Sequence, residues 1–212
     1  MYRHLPNQLT LLRLLLAGVF FITLHQYRYE SLDVTQGLWL WASAAVFILA
    51  ALTDALDGYL ARKWHVESAF GRIMDPFCDK VLVLGAFIYL AGPGFAVRTE
   101  TDAIISVSGV YPWMVAVMLA RELLVTGVRG ELEGSGVQFG ANIFGKVKMV
   151  LQSCAVPIIL VAVWLDPLHP QRTWLHWVLL TMAYALVAIT LISGLPYISQ
   201  AGKAMKGETP ST

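Results

Sequence analysis

Six stretches of this chain are apolar and long enough to cross a bilayer as helices, and any fold must accommodate them. They cover residues 8–25, 37–62, 72–92, 111–130, 143–165 and 173–198. A hydrocarbon core of about 30 Å calls for roughly 20 such residues. Peptide groups in lipid have no water to pair with, so spanning segments of this kind fold as internally hydrogen-bonded helices. The expected fold class is all-α, a polytopic membrane protein of six transmembrane helices. Charged residues make up only 14% of the chain, against about 25% in soluble domains. Connections are short and polar or carry Gly and Pro, as in Ala91-Gly92-Pro93-Gly94. A single membrane domain over 1–200 and a short tail over 201–212 are therefore expected.

Lys and Arg counts set the orientation. With six spans, both termini, the 62–72 turn and the 121–148 region share one side. Twelve of the 15 Lys and Arg lie there, leaving Arg28, Arg98 and Arg172 opposite. Both termini are thus expected in the cytoplasm. Arg13 interrupts the first apolar run and no small-residue cleavage site follows it, so that run reads as a retained first helix. A net charge of +1 gives no sign of nucleic-acid binding. Cys78 and Cys154 lie in apolar surroundings and suggest no disulfide framework.

Acids in such a chain need a reason, because a charge near the bilayer centre costs roughly 3 kcal/mol or more. Asp54 and Asp57 close the second segment, and Asp75 and Asp79 open the third. At 1.5 Å per residue the second segment is about 39 Å long, so its last turns should reach the aqueous interface. Spacings of three and four place each pair on one helix face. Two such faces meeting across the 63–68 turn would gather four carboxylates, a repulsive set without a cation. Hard oxygen ligands suit Mg²⁺, Mn²⁺ or Ca²⁺, and paired divalent ions favour phosphoryl transfer. Gly58 and Ala61 leave room beside Asp57 for a ligand, or serve small-residue helix packing. Arg62 suits a phosphate, or anchors the helix at the interface.

The string Asp54-x2-Asp57-Gly58-x2-Ala61-Arg62-x8-Gly71-x3-Asp75-x3-Asp79 resembles, at every fixed position and gap, the signature of the CDP-alcohol phosphatidyltransferase family. The six expected spans agree with that family's fold. The resemblance implies a CDP-linked lipid donor, an alcohol acceptor and release of CMP. It implies that Asp54, Asp57, Asp75 and Asp79 bind Mg²⁺ or Mn²⁺, as two ions, with Asp79 also the general base. It further implies that Asp54, Gly58, Ala61, Arg62 and Gly71 line the CDP site, and that the protein is a homodimer.

The acceptor must be sought in other residues. Arg121, Arg129, Lys146 and Lys148 converge on the cytoplasmic mouth, which favours an alcohol that carries its own phosphate; positive-inside anchoring accounts for some of these charges. Asn7-x2-Thr10-x2-Arg13, Ala120-Arg121-Glu122 with Arg129, and Gly145-Lys146-Val147-Lys148 resemble the bacterial branch that makes phosphatidylglycerophosphate. That likeness implies CDP-diacylglycerol and sn-glycerol 3-phosphate as substrates and a bacterial inner (cell) membrane, with the active site facing the cytoplasm. It also places Asn7, Thr10 and Arg13 on one face of the first helix beside the nucleotide; a polar helix cap and interface anchor is the alternative for these residues. The glycine-rich stretch 127–140 reads as a linker bordering the acceptor pocket. Inositol phosphate remains an alternative acceptor. An aspartate-rich prenyltransferase and a cation transporter are the rivals from other classes; the transporter would more naturally hold its acids near the midplane, between repeats.

Overall fold

A computed structural model describes residues 5–29, 35–64, 69–99, 102–134, 143–165 and 174–205. Among these, six helices dominate: α1 (Leu5–Gln26), α2 (Thr35–Trp64), α3 (Ala69–Leu90), α4 (Pro112–Gly134), α5 (Ile143–Leu165) and α6 (Trp174–Met205). They close into a ring, with contacts running α1 to α2, α2 to α5, α5 to α6, α6 to α4, α4 to α3 and α3 back to α1.

Each helix points one stripe of side chains into this ring. On α1 the buried positions are Thr10, Arg13, Ala17, Phe20 and Leu24, alternating three and four apart. On α5 they include Lys148, Gln152, Ala155, Ile159 and Val163. This spacing follows the 3.6-residue turn. The outer faces are apolar as well: Leu15 and Ile22 on α1 and Ile192 and Leu195 on α6 are more than half exposed. A helix that is apolar all round belongs in lipid or in a large core.

Among the described residues, three helices are long and apolar enough to cross a membrane, over Thr35–Asp54, Ile143–Leu165 and Trp174–Ser199; the apolar part of α1, Thr10–Gln26, is shorter. The chain is a membrane protein. Helices α3 and α4 carry their charges within the helix, Asp75, Asp79 and Lys80 on one and Arg121, Glu122 and Arg129 on the other.

The fold is mostly helical, as expected, with one small addition: Ala96–Arg98 pairs antiparallel with Ile104–Ser106 as β1 and β2, after a 3-10 turn at Pro93–Phe95. One expectation is corrected. The stretch 127–134 is not linker but the end of α4. Glycine costs a helix interior about 1 kcal/mol, yet extending a formed helix is far easier than nucleating one. The rest of the expected linker, 135–140, lies outside the described residues. Helix α6 also runs on to Met205, across the expected tail boundary at 200.

The β hairpin closes the ring at the end opposite Asp54 and Asp75. There Ser108 donates to the Leu90 carbonyl at 2.7 Å and accepts from the Val110 amide at 3.1 Å. Gly109 turns the chain into α4 with φ +73°, and a Cβ at that position would stand 2.8 Å from the Leu179 backbone.

Candidate active site

At the opposite end the buried stripes turn polar together. On α1, Ala17 gives way to Arg13 and Thr10. On α4, Met114 and Met118 are followed by Glu122. On α5, Ala155 gives way to Gln152 and Lys148, and on α6, Ala183 and Leu186 lead to Thr190 and Ser193. Polar groups in core register need partners, because an unpaired one pays its full desolvation cost. Here they pair with one another across helices.

One half of this end is acidic. The buried Arg13 guanidinium lies 2.7 Å from Asp54 of α2 and 3.5 Å from Asp75 of α3. Thr10 donates its hydroxyl to the same Asp75 oxygen at 2.9 Å. A single cation from α1 thus gathers carboxylates from two other helices. Both carboxylates remain about two-fifths exposed, at 42% and 38%. Asp79 lies one turn along α3 from Asp75, half-buried.

The other half is a basic cavity of about 390 Å³ between α3, α4, α5 and α6, lined by Asp79, Lys80, Arg121, Glu122, Arg129 and Lys148, among others. Glu122 forms part of its wall and gathers the cations around it. Lys148 and Arg121 both donate to Glu122 Oε1, Arg121 at 2.8 Å. The Lys80 ammonium lies 4.0 Å from Glu122 Oε2 and donates to Thr126 at 2.6 Å. Arg121 also donates to the Ser193 carbonyl at 3.1 Å, lying across Gly194, where a Cβ would come within 3.4 Å of its side chain. Below them Gln152 donates to Thr190 at 3.1 Å.

The structure therefore brings Asp54, Asp75 and Thr10 together around Arg13, and Asp79 together with Arg121, Arg129 and Lys148. Lys146 is exposed and does not line the cavity, so this arrangement leaves it outside the expected acceptor set. The side chains of Asn7, Asp57, Gly58, Ala61, Arg62 and Gly71 lie outside the described residues. Sequence reasoning missed Lys80, Glu122 and Thr126 as part of the site. The stripe register offered a signal for Glu122, since an acid one turn past Met114 and Met118 sits where a core residue belongs.

Among the described residues, no three His, Cys, Asp or Glu side chains gather closely enough to hold a metal ion. The donors that do converge, Asp54 and Asp75 on α2 and α3, are carboxylates, the hard oxygen chemistry that Mg²⁺ and Mn²⁺ prefer. Asp57, which would add a third, is among the side chains not described.

Residues 3–191 match the family model for CDP-alcohol phosphatidyltransferase. The chain is similar to the CDP-diacylglycerol–glycerol-3-phosphate 3-phosphatidyltransferase of Bacillus subtilis (strain 168), at 34% identity over 96% of this chain and 97% of that one. It is 30% identical to proteins of the same name from Cereibacter sphaeroides, over 96% of this chain and 98% of that one, and from Escherichia coli (strain K12), over 93% and 94%.

Proposed function

The chain belongs to the CDP-alcohol phosphatidyltransferase family, and on that premise we propose that it transfers the phosphatidyl group of CDP-diacylglycerol to sn-glycerol 3-phosphate, yielding phosphatidylglycerophosphate and CMP. One observation carries the acceptor assignment. Asp79 shares a cavity with Arg121, Arg129 and Lys148. An alcohol with a phosphate at one end and a hydroxyl at the other fits such a site. Its phosphate would meet the cations while its hydroxyl faces the carboxylate. A bare amino alcohol would leave Lys148 without a phosphate to bind. The names of the relatives favour the same acceptor.

In this reading Arg121, Arg129 and Lys148 grip the acceptor phosphate and hold its primary hydroxyl toward Asp79. Asp79 takes the hydroxyl proton, and the oxygen attacks the lipid-side phosphorus of the donor. The bond from that phosphorus to the bridging pyrophosphate oxygen breaks, and CMP leaves with its electron pair. A carboxylate base suffices when geometry does most of the work. Asp54, Asp57, Asp75 and Asp79 would hold one or two Mg²⁺ or Mn²⁺ ions, which when bound supply positive charge for the pyrophosphate. Arg13 and Thr10 keep Asp54 and Asp75 in place for that task. Asn7, Thr10, Gly58, Ala61, Arg62 and Gly71 form the CDP side of the site.

The same proposal includes six spans. Helices α1, α3 and α4 close a ring with the three apolar helices and carry their charges toward one end, which the Lys/Arg distribution assigns to the cytoplasm. Location in a bacterial cell membrane and assembly as a homodimer complete the reading. The test is CMP release by purified protein in detergent, with CDP-diacylglycerol, Mg²⁺ or Mn²⁺ and a panel of alcohols. Release dependent on glycerol 3-phosphate is expected. Release only with inositol phosphate or another alcohol would overturn the acceptor assignment.

A further inference from the structure

We propose that Glu122 is a positioning residue for the acceptor: its carboxylate draws Arg121, Lys148 and Lys80 into one phosphate-binding face. The inference rests on the acceptor reading above. Four helices meet at this point, since α4 supplies Glu122 and Arg121, α5 Lys148, α3 Lys80, and α6 the Ser193 carbonyl that holds the far side of Arg121. Three cations facing one cavity repel one another. Without an anion among them, Lys148 and Arg121, both largely buried, would separate or shed charge. Glu122 prevents this while using only one N–H of Lys148 and one of Arg121. An ammonium has three donors and a guanidinium five, so donors remain for a ligand.

The charge balance suits the ligand as well. Three cations less one carboxylate leave +2, the complement of a phosphate monoester, which carries about −1.5 to −2 at neutral pH. Counting Arg129 and Asp79 as well, which line the same cavity, leaves that net charge unchanged. An ion pair serving only to dock α4 on α5 would need neither Lys80 nor a place in the cavity wall. Glu122 has both.

Glu122→Gln keeps the shape and removes the charge. With CDP-diacylglycerol saturating, its KM for glycerol 3-phosphate should rise about tenfold or more, the effect of losing roughly one charge-assisted contact. Its KM for the lipid donor should stay within about twofold. Inorganic phosphate, competing with the acceptor, should weaken in parallel. Glu122→Asp, which keeps the charge on a shorter arm, should recover most of the loss. An unchanged acceptor KM, an equal rise in both KM values, or tighter phosphate inhibition in Glu122→Gln would each overturn the inference. Should Glu122→Gln fail to fold, Glu122→Asp decides: its acceptor KM and phosphate inhibition should both weaken severalfold, and wild-type values for both would overturn it. A wild type that releases CMP with another alcohol but not with glycerol 3-phosphate would instead refute the acceptor reading itself.

Discussion

Replacing Arg13 with methionine tests how the acid cluster is held. Methionine fills much of the buried volume of the arginine stem and removes its charge. The 2.7 Å contact to Asp54 is a close ion pair of a buried guanidinium, worth about 1.5–3 kcal/mol. The 3.5 Å contact to Asp75 is too long to add much. Both aspartates are partly exposed, at 42% and 38%, so water recovers part of the loss. A net cost of about 1–2 kcal/mol remains, or a Tm lower by roughly 2–8 °C for a chain of this size. The loss should depend on cations. With Arg13 gone, Asp54 and Asp75 repel one another unscreened, and a divalent ion gains more by binding between them. Thermal unfolding in detergent with and without 5–10 mM Mg²⁺ (about that range suffices for a millimolar site) should show a larger Mg²⁺-induced rise in Arg13→Met than in wild type. Equal rises, or a variant as stable as wild type in chelator, would refute the idea that Arg13 neutralises this cluster.

Three further outcomes follow from the geometry. Asp79→Asn should lower kcat for CMP release by about 10²–10⁴, the usual worth of a general base, with Tm near wild type; retained turnover would remove its assigned role. Lys148→Met should raise the KM for glycerol 3-phosphate about tenfold or more, whereas Lys146→Met should change it by no more than about twofold. Matching effects at the two sites would point to a diffuse field instead of a built pocket. Gly109→Ala places a Cβ at φ +73° and 2.8 Å from the Leu179 backbone. It should cost at least ~1–3 kcal/mol and lower Tm while leaving the KM for both substrates unchanged.

Much of this architecture was legible in the residues. Apolar length located all six helices, and the 143–165 segment coincides with α5. Helix ends were less legible because lipid thickness limits a span but not the polar turns that extend it, as in α2 and α4. The hairpin escaped notice because strands of three residues are too short for an alternating pattern. In the site, the Asp spacing stood out because charges in apolar runs demand explanation. The same logic should have given Glu122 a role, but Arg121 and Lys148 drew attention as cations while the acid beside them stood only as part of a motif. Its meaning depends on α5 and α6 lying against α4, and that neighbourhood is set by tertiary packing. Lys146 shows the converse: near Lys148 in sequence, it faces away from the cavity because two residues rotate a helix by about 200°.

The most direct test of the central claim, that Asp79 and the basic cavity form one acceptor site, is an experimental structure of the protein with glycerol 3-phosphate bound. Phosphate density is expected against Arg121, Arg129 and Lys148, with the primary hydroxyl turned toward Asp79. Phosphate bound outside this cavity, or a hydroxyl pointing away from Asp79 while the phosphate sits within it, would contradict the account.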